Sequence, residues 1–140
     1  MKLKFFYDNV NYRLRNVKGI KELIVKVIRD ENKVPDDLNF IFTDDRQIKK
    51  INREFLKRNT FTDVIAFDYG DKKRVVGEIY ISLDTVRKNA RNYNVSLRKE
   101  IIRVIVHGTL HLCGYNDKST EDSRIMKLME EKWIKEYDIR

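Results

Sequence analysis

The chain has 140 residues, 41% hydrophobic and 37% charged, with 7 Phe, 7 Tyr and 1 Trp; one domain spanning 1–140 is expected, and wholesale disorder is excluded. The single cysteine, Cys113, excludes an intrachain disulfide and a cysteine-based zinc finger. No apolar run reaches the ~20 residues of a membrane span, and the N-terminus lacks the apolar core of a secretory signal, so a cytoplasmic location is expected. Net charge is +8, concentrated in two segments: residues 46–60 and 85–103 each carry six Lys or Arg against one Glu, which points to a polyanionic partner.

In chain order, Lys2–Tyr7 alternates and is aromatic, which predicts a strand. Val17–Arg29 places Ile20, Leu23, Ile24, Val27 and Ile28 at helical spacing. Pro35 with two aspartates predicts a turn, and Leu38–Thr43 the next strand. Asp44 or Asp45 can cap a helix running to about Leu56, with Ile48, Ile51 and Phe55 inward. Thr62–Asp68 and Val75–Ser82, separated by Gly70-Asp71, predict a hairpin. Asp84–Tyr93 reads as a helix with basic residues on it. Ser96 caps a long apolar helix from Leu97 to Cys113, which Gly114 stops. Ser119 and Asp122 resemble the capping box of a last helix to about Tyr137. The order β-α-β-α-β-β-α-α-α predicts an α+β (α/β-like) domain. One mixed sheet of about four strands is covered by helices, with the most apolar helix buried at the centre.

That central helix carries the chemistry. From Leu97 to Cys113 the conspicuous polar residues are Glu100, Arg103, His107 and His111, and they fall within an arc of about 80° at helical pitch. A buried helix with one polar stripe needs a partner for it, because each unsatisfied polar group costs roughly 1–3 kcal/mol. The only two histidines of the chain stand four apart on this stripe, so both imidazoles can reach one metal ion. The competing reading is a pair of satisfied core histidines. Gly114 permits a left-handed turn, and Asp117 then lies close enough to swing back beneath His111. A His, His, carboxylate set leaves a coordination position open, as in catalytic zinc sites; the alternative for Asp117 is a turn or capping carboxylate. Zinc peptidases carry a glutamate base directly after the first histidine. Here that residue is Gly108, which argues against peptide hydrolysis.

Residues 107–117, HGTLHLCGYND, closely resemble the His-Gly-x-Leu-His-Leu-x-Gly-Tyr-Asp-His signature of the bacterial rRNA-maturation endoribonucleases, the YbeY-like metalloproteins. Thr62–Phe67 is similar to that family's Thr-Asp-Val-Leu-Ser-Phe strand, with Ala66 in place of Ser. Gly77–Ser82 resembles its Gly-Asp-Ile-x-Ile-Ser strand. Ile51-Asn52 stands at its Leu-Asn, and Met126 and Glu131 stand where its last helix has Met and Glu. The resemblance implies a zinc-dependent, single-strand-preferring endoribonuclease in 16S rRNA 3′-end maturation and ribosome quality control. The small ribosomal subunit and its rRNA are the implied partners. Of three implied histidine ligands, two map onto His107 and His111; the third position is Asp117, and Asn116 replaces the usual Asp. Leu56 stands where the family often has an arginine, with Lys57 and Arg58 adjacent.

On this reading the reaction is metal-assisted phosphodiester cleavage with one zinc ion, nickel being a possible substitute. Arg103 is a candidate for balancing charge near the phosphate, or else an ion-pair partner of Glu100. Lys57, Arg58, Arg87 and Arg91 are the candidate contacts to the RNA backbone. Tyr115 and Phe61 are candidates for base stacking. Asp63 is a candidate for orienting a histidine, or else a turn residue at a strand start. Two other classes remain open: a non-catalytic ribosome-associated RNA-binding protein with a structural metal, and a metal-dependent hydrolase of another substrate.

Overall fold

The computed structural model describes residues 1–55 and 63–139. Nine elements follow in the order β1 (Lys2–Tyr7), α1 (Val17–Asp30), β2 (Val34–Thr43), α2 (Asp45–Phe55), β3 (Val64–Asp68), β4 (Arg74–Ser82), α3 (Leu83–Asn92), α4 (Leu97–Leu112) and α5 (Thr120–Ile139). The strands form one mixed sheet in the order β1-β2-β4-β3. β1, β2 and β4 are parallel, and β3 returns antiparallel along β4. This is the α+β arrangement expected from the pattern.

The alternation of each strand decides the layers. Phe5, Phe40, Phe42, Ile79 and Ile81 share the sheet face that forms the main core with α1 and α4. The opposite face carries Ile65, Phe67 and Tyr80, which pack with Ile48 and Ile51 of α2 as a second, smaller cluster. α4 lies deepest: Ile101, Ile102, Val104, Ile105, Val106 and Leu110 are all buried. It touches α1, α3, α5, β3 and β4. Its seat depends on Gly108, where a β-carbon would come within 2.8 Å of the Ile79 side chain. A glutamate at this position would therefore lift the helix off the sheet.

Caps set the helix ends. Ser96 Oγ accepts from the Lys99 amide at 3.1 Å, and Ser119 Oγ from the Asp122 amide at 3.0 Å. Asp44 caps α2 through the Gln47 amide at 2.9 Å. Asp45 instead accepts from the hydroxyls of Ser82 and Thr85, which ties α2 to the start of α3. After α4 the chain turns at Gly114, whose φ is 107°; that conformation is strained for any residue with a β-carbon.

The expected turn at Pro35 is a correction. Pro35 lies inside β2, paired with Val75, and the register slips between Pro35 and Leu38. β1 reaches β2 only from Asp37 onward, so the missing N–H of Pro35 leaves no ladder bond unmade on that side. β3 begins at Val64, and Asp63 is a bend before it. The expected extension of α2 to Leu56 and of β3 back to Thr62 lies outside the described residues.

Candidate metal centre

Helical spacing and the Gly114 turn bring three side chains to one point. His107 Nε2 and His111 Nε2 lie 2.9 Å apart. Asp117 Oδ2 stands 3.5 Å from the first and 3.7 Å from the second. A tetrahedral zinc ion with bonds of about 2.0–2.1 Å has ligand–ligand edges of about 3.3–3.4 Å, and the three distances bracket that value. Among the described residues these three form the one group of His, Cys, Asp or Glu able to hold a metal ion.

The protons on the rings sharpen the point. His107 Nδ1 is 2.6 Å from Glu130 Oε2, and His111 Nδ1 is 3.0 Å from the Tyr115 carbonyl oxygen. Both partners can only accept when the carboxylate is ionised, so each neutral ring is assigned its proton at Nδ1. Each Nε2 then presents a lone pair. Two nitrogen lone pairs and a carboxylate oxygen facing one another with no proton between them repel; a cation resolves the repulsion. The donor set fits a zinc-like ion on that ground.

Glu130 comes from α5, 23 residues beyond His107 in sequence. Among the described side chains of that helix, Met126, Glu130, Trp133 and Ile134 are buried. An acid on an otherwise apolar helix face was a readable sign that it meets the polar stripe of α4. The resemblance points to Glu131 as the acid of this helix. Glu131 is half exposed and reaches Arg103 at 3.5 Å; the residue on the histidine is Glu130.

Arg103 sits among carboxylates. Its Nε is 3.0 Å from Glu100 Oε1 and its Nη1 is 3.2 Å from Glu130 Oε1. The side chains of Glu100 and Glu130 are only 2% and 5% exposed, so the guanidinium neutralises charges that water cannot. Of its two candidate roles, this geometry matches the ion pair. Asp63 lines the same cavity and adds to the negative field at His107, but the carboxylate bonded to the ring is that of Glu130.

Burial and neighbours move the histidines in opposite directions. Burial pulls the His107 pKa down, but the Glu130 hydrogen bond and the charges of Glu130, Asp63 and Asp117 outweigh it and hold it above the ordinary value. His111 falls below its ordinary value through burial and the neighbouring His107 charge. Burial raises Glu100 despite the opposing pull of Arg103. Tyr115, a candidate base-stacking residue, instead donates its hydroxyl to Glu31 Oε2 at 2.9 Å. That bond pins the loop whose carbonyl holds His111, and burial together with Glu31 pushes the Tyr115 phenol up to about 12.

The three side chains line a cavity of about 830 Å³ between β3, α3, α4 and α5. Its described walls carry Asp63, Asp68, Glu100, Asp117 and Glu130 against Arg103 and Lys127, with Asn52, Asn89 and Tyr93 among the rest. Arg87 and Arg91 do not line it. They are exposed and flank a separate depression between α3 and the start of α4. Of the 85–103 block, Asn89, Tyr93, Glu100 and Arg103 line the histidine cavity, while these two arginines lie away from it. α3 buries Leu83, Val86 and Ala90 and turns Asn89 and Tyr93 to the cavity, and this rotation sends Arg87 and Arg91 elsewhere. Lys57 and Arg58 lie outside the described residues, as do Leu56 and Phe61.

Residues 7–138 match the family model described as Endoribonuclease YbeY. The chain belongs to that family. An Endoribonuclease YbeY of Flavobacterium psychrophilum is 37% identical over 99% of this chain and 98% of its own length. One from Christiangramia forsetii is 39% identical over 94% and 92%. The solution structure of TM1509 from Thermotoga maritima superposes with a TM-score of 0.66 at 28% identity, covering 96% of this chain and 88% of that one. Within the YbeY family frame, His107, His111 and Asp117 occupy the signature segment, and the geometry places their donor atoms together.

Proposed function

We propose that the chain is a single-domain, metal-dependent endoribonuclease of rRNA processing. His107, His111 and Asp117 hold one zinc ion, and single-stranded RNA is cleaved in the cavity above them. The observation that carries this reading is the convergence of two imidazole Nε2 atoms and a carboxylate oxygen in a cavity of a YbeY-family chain. Bound there, zinc would supply a Lewis acid for a phosphoryl oxygen and would acidify a water molecule.

The chain's own residues do the rest. Glu130 accepts the Nδ1 proton of His107 and so fixes both ring orientation and tautomer. The Tyr115 carbonyl does the same for His111. Arg103 holds Glu130 and Glu100 in place without offering its charge to the substrate. The described walls are acidic, and a divalent cation would invert the local field so that a phosphate is attracted. Lys127 supplies an exposed cation at the cavity. Arg87 and Arg91 extend the RNA path beyond the cavity by phosphate contacts, and the basic side chains of Lys57 and Arg58 suit the same role. Maturation of the 16S rRNA 3′ end on the small ribosomal subunit, in the cytoplasm, is the setting this activity suits. Among the described residues no helix is long and apolar enough to cross a membrane.

The test is cleavage of single-stranded RNA by purified protein of known metal content. His111→Ala is expected to lose metal and cleavage while keeping RNA binding. If the metal-replete parent binds RNA and leaves it intact, the protein is a binding module with a structural metal. If it neither binds nor cleaves RNA but hydrolyses small phosphoesters, the substrate assignment falls.

A further inference from the structure

The cavity has a wall that the metal centre does not use. α3 contributes Asn89 and Tyr93 to it, four residues apart and therefore adjacent on one helix face. Tyr93 is the C-cap residue of α3 and is 59% exposed. Each of the other six tyrosines has a ring neighbour or a hydroxyl partner. The Tyr93 side chain has neither among the described residues, and the half-buried Asn89 amide likewise meets no described partner. Lys127, on α5, reaches the same cavity with no described carboxylate on its ammonium.

A flat aromatic face, a primary amide and a cation on one cavity are the three groups that recognise a nucleotide. We propose that Tyr93 and Asn89 form a nucleobase subsite next to the scissile phosphate. Tyr93 stacks on the base, Asn89 reads its edge, and Lys127 holds the adjoining phosphate. The inference rests on the RNA-cleaving reading of this cavity and adds a specificity to it. Stacking on Tyr93 needs a free base face, which a nucleotide inside a duplex lacks, so the subsite selects single strands. The Asn amide offers a donor and an acceptor that match adenine N6 and N7 together, so adenine is the preferred occupant.

The experiment measures binding of fluorescent single-stranded oligoadenylate and oligouridylate to the full chain, metal-free and zinc-loaded, and cleavage kinetics on the zinc-loaded form. Tyr93→Ala should weaken binding about 5- to 150-fold and should raise KM more than it lowers kcat. Tyr93→Phe, which keeps the ring, should recover most of that loss. Asn89→Ala should shrink the adenylate-to-uridylate ratio while leaving uridylate binding nearer the parent. Lys127→Ala should reduce the salt slope by about one phosphate contact. A single abasic site walked along the oligoadenylate should, at one position, make Tyr93→Ala silent.

Parental affinity in Tyr93→Ala, or an equal loss on every abasic substrate, overturns the subsite. An unchanged base ratio in Asn89→Ala overturns the adenine assignment. If the parent shows these binding effects but does not cleave, the nuclease reading fails and the subsite stands. If it cleaves while Tyr93→Ala binds and cleaves like the parent, the reverse holds.

Discussion

The polar stripe of α4 has two halves with the same origin and opposite states. In the N-terminal half, Glu100 and Arg103 pair with each other, and Arg103 also meets Glu130 and Glu131. Each charge there has an opposite partner within the protein. One turn on, His107 and His111 have their Nδ1 sides satisfied and their Nε2 sides turned on each other and on Asp117. The first half supports; the second is left with donor atoms that only an added cation satisfies. Glu130 joins them, with one oxygen on Arg103 and the other on His107. A rigid, fully paired network beside an under-satisfied one is how a site keeps its geometry while staying reactive.

The largest effect should follow from opening the reactive half. Asp117→Ala removes a donor and is expected to lower zinc affinity by at least about 100-fold, beyond the 10–100-fold typical of outer partners, with loss of cleavage. Asp117→His replaces an anionic ligand by a neutral one and raises the charge of the centre by one unit. It should keep cleavage and move its acid limb to lower pH. Metal titration and pH–rate profiles check both. If the Ala variant holds zinc and cleaves like the parent, Asp117 is a turn residue, and Glu121 becomes the next carboxylate to examine.

Breaking the paired half should act on stability. Arg103→Ala leaves Glu100 and Glu130 buried without their cation, and a loss of about 3–5 kcal/mol is expected from denaturant unfolding. A loss below about 1 kcal/mol would show that the carboxylates relax to water or take up protons.

The joint between the halves comes next. Glu130→Gln keeps the shape but leaves one acceptor oxygen for two donors, Arg103 and His107; zinc affinity should fall about 10–100-fold, with a loss of stability smaller than that of Arg103→Ala because Arg103 keeps Glu100.

pH separates the same two states by sign. In the metal-free protein the His107 pKa lies above its ordinary value. Its contribution to stability is therefore fully present below the unfolded value of about 6.5 and is lost as pH rises through the folded pKa. His111 is depressed, and its contribution is present above about 6.5 and is lost as pH falls through its folded pKa. NMR titration of the two rings should show His107 above and His111 below the ordinary value. Zinc binding needs both rings deprotonated, so zinc affinity should decline in acid.

The smallest effect should come from outside the cavity. Charge reversal at Arg87 and Arg91 should weaken binding to unrelated RNA sequences alike and flatten the salt dependence. An unchanged slope would mean that they only solvate α3.

Some of this was legible in the residues themselves. The period of Ile20, Leu23, Ile24, Val27 and Ile28, the alternation in Val75–Ser82, and the caps at Ser96 and Ser119 are local patterns, and local patterns specify elements. The His107–His111 spacing is set by helix pitch alone, and Asp117 follows from a glycine turn three residues earlier in the chain. Each of these relations spans less than two turns of backbone, so local geometry brings the residues within reach of one another. Tertiary packing decided the rest. Pro35 could enter β2 because β1 stops short of it, which depends on strand order. Glu130 reaches His107, Arg103 is enclosed by carboxylates, and Asn89 and Tyr93 rather than Arg87 and Arg91 line the histidine cavity. Each of these depends on how α3 and α5 are rotated against α4, and that rotation is fixed by side chains interlocking across elements far apart in sequence. Periodicity tells which face of a helix is buried; only the packed core tells which residue of another helix it meets.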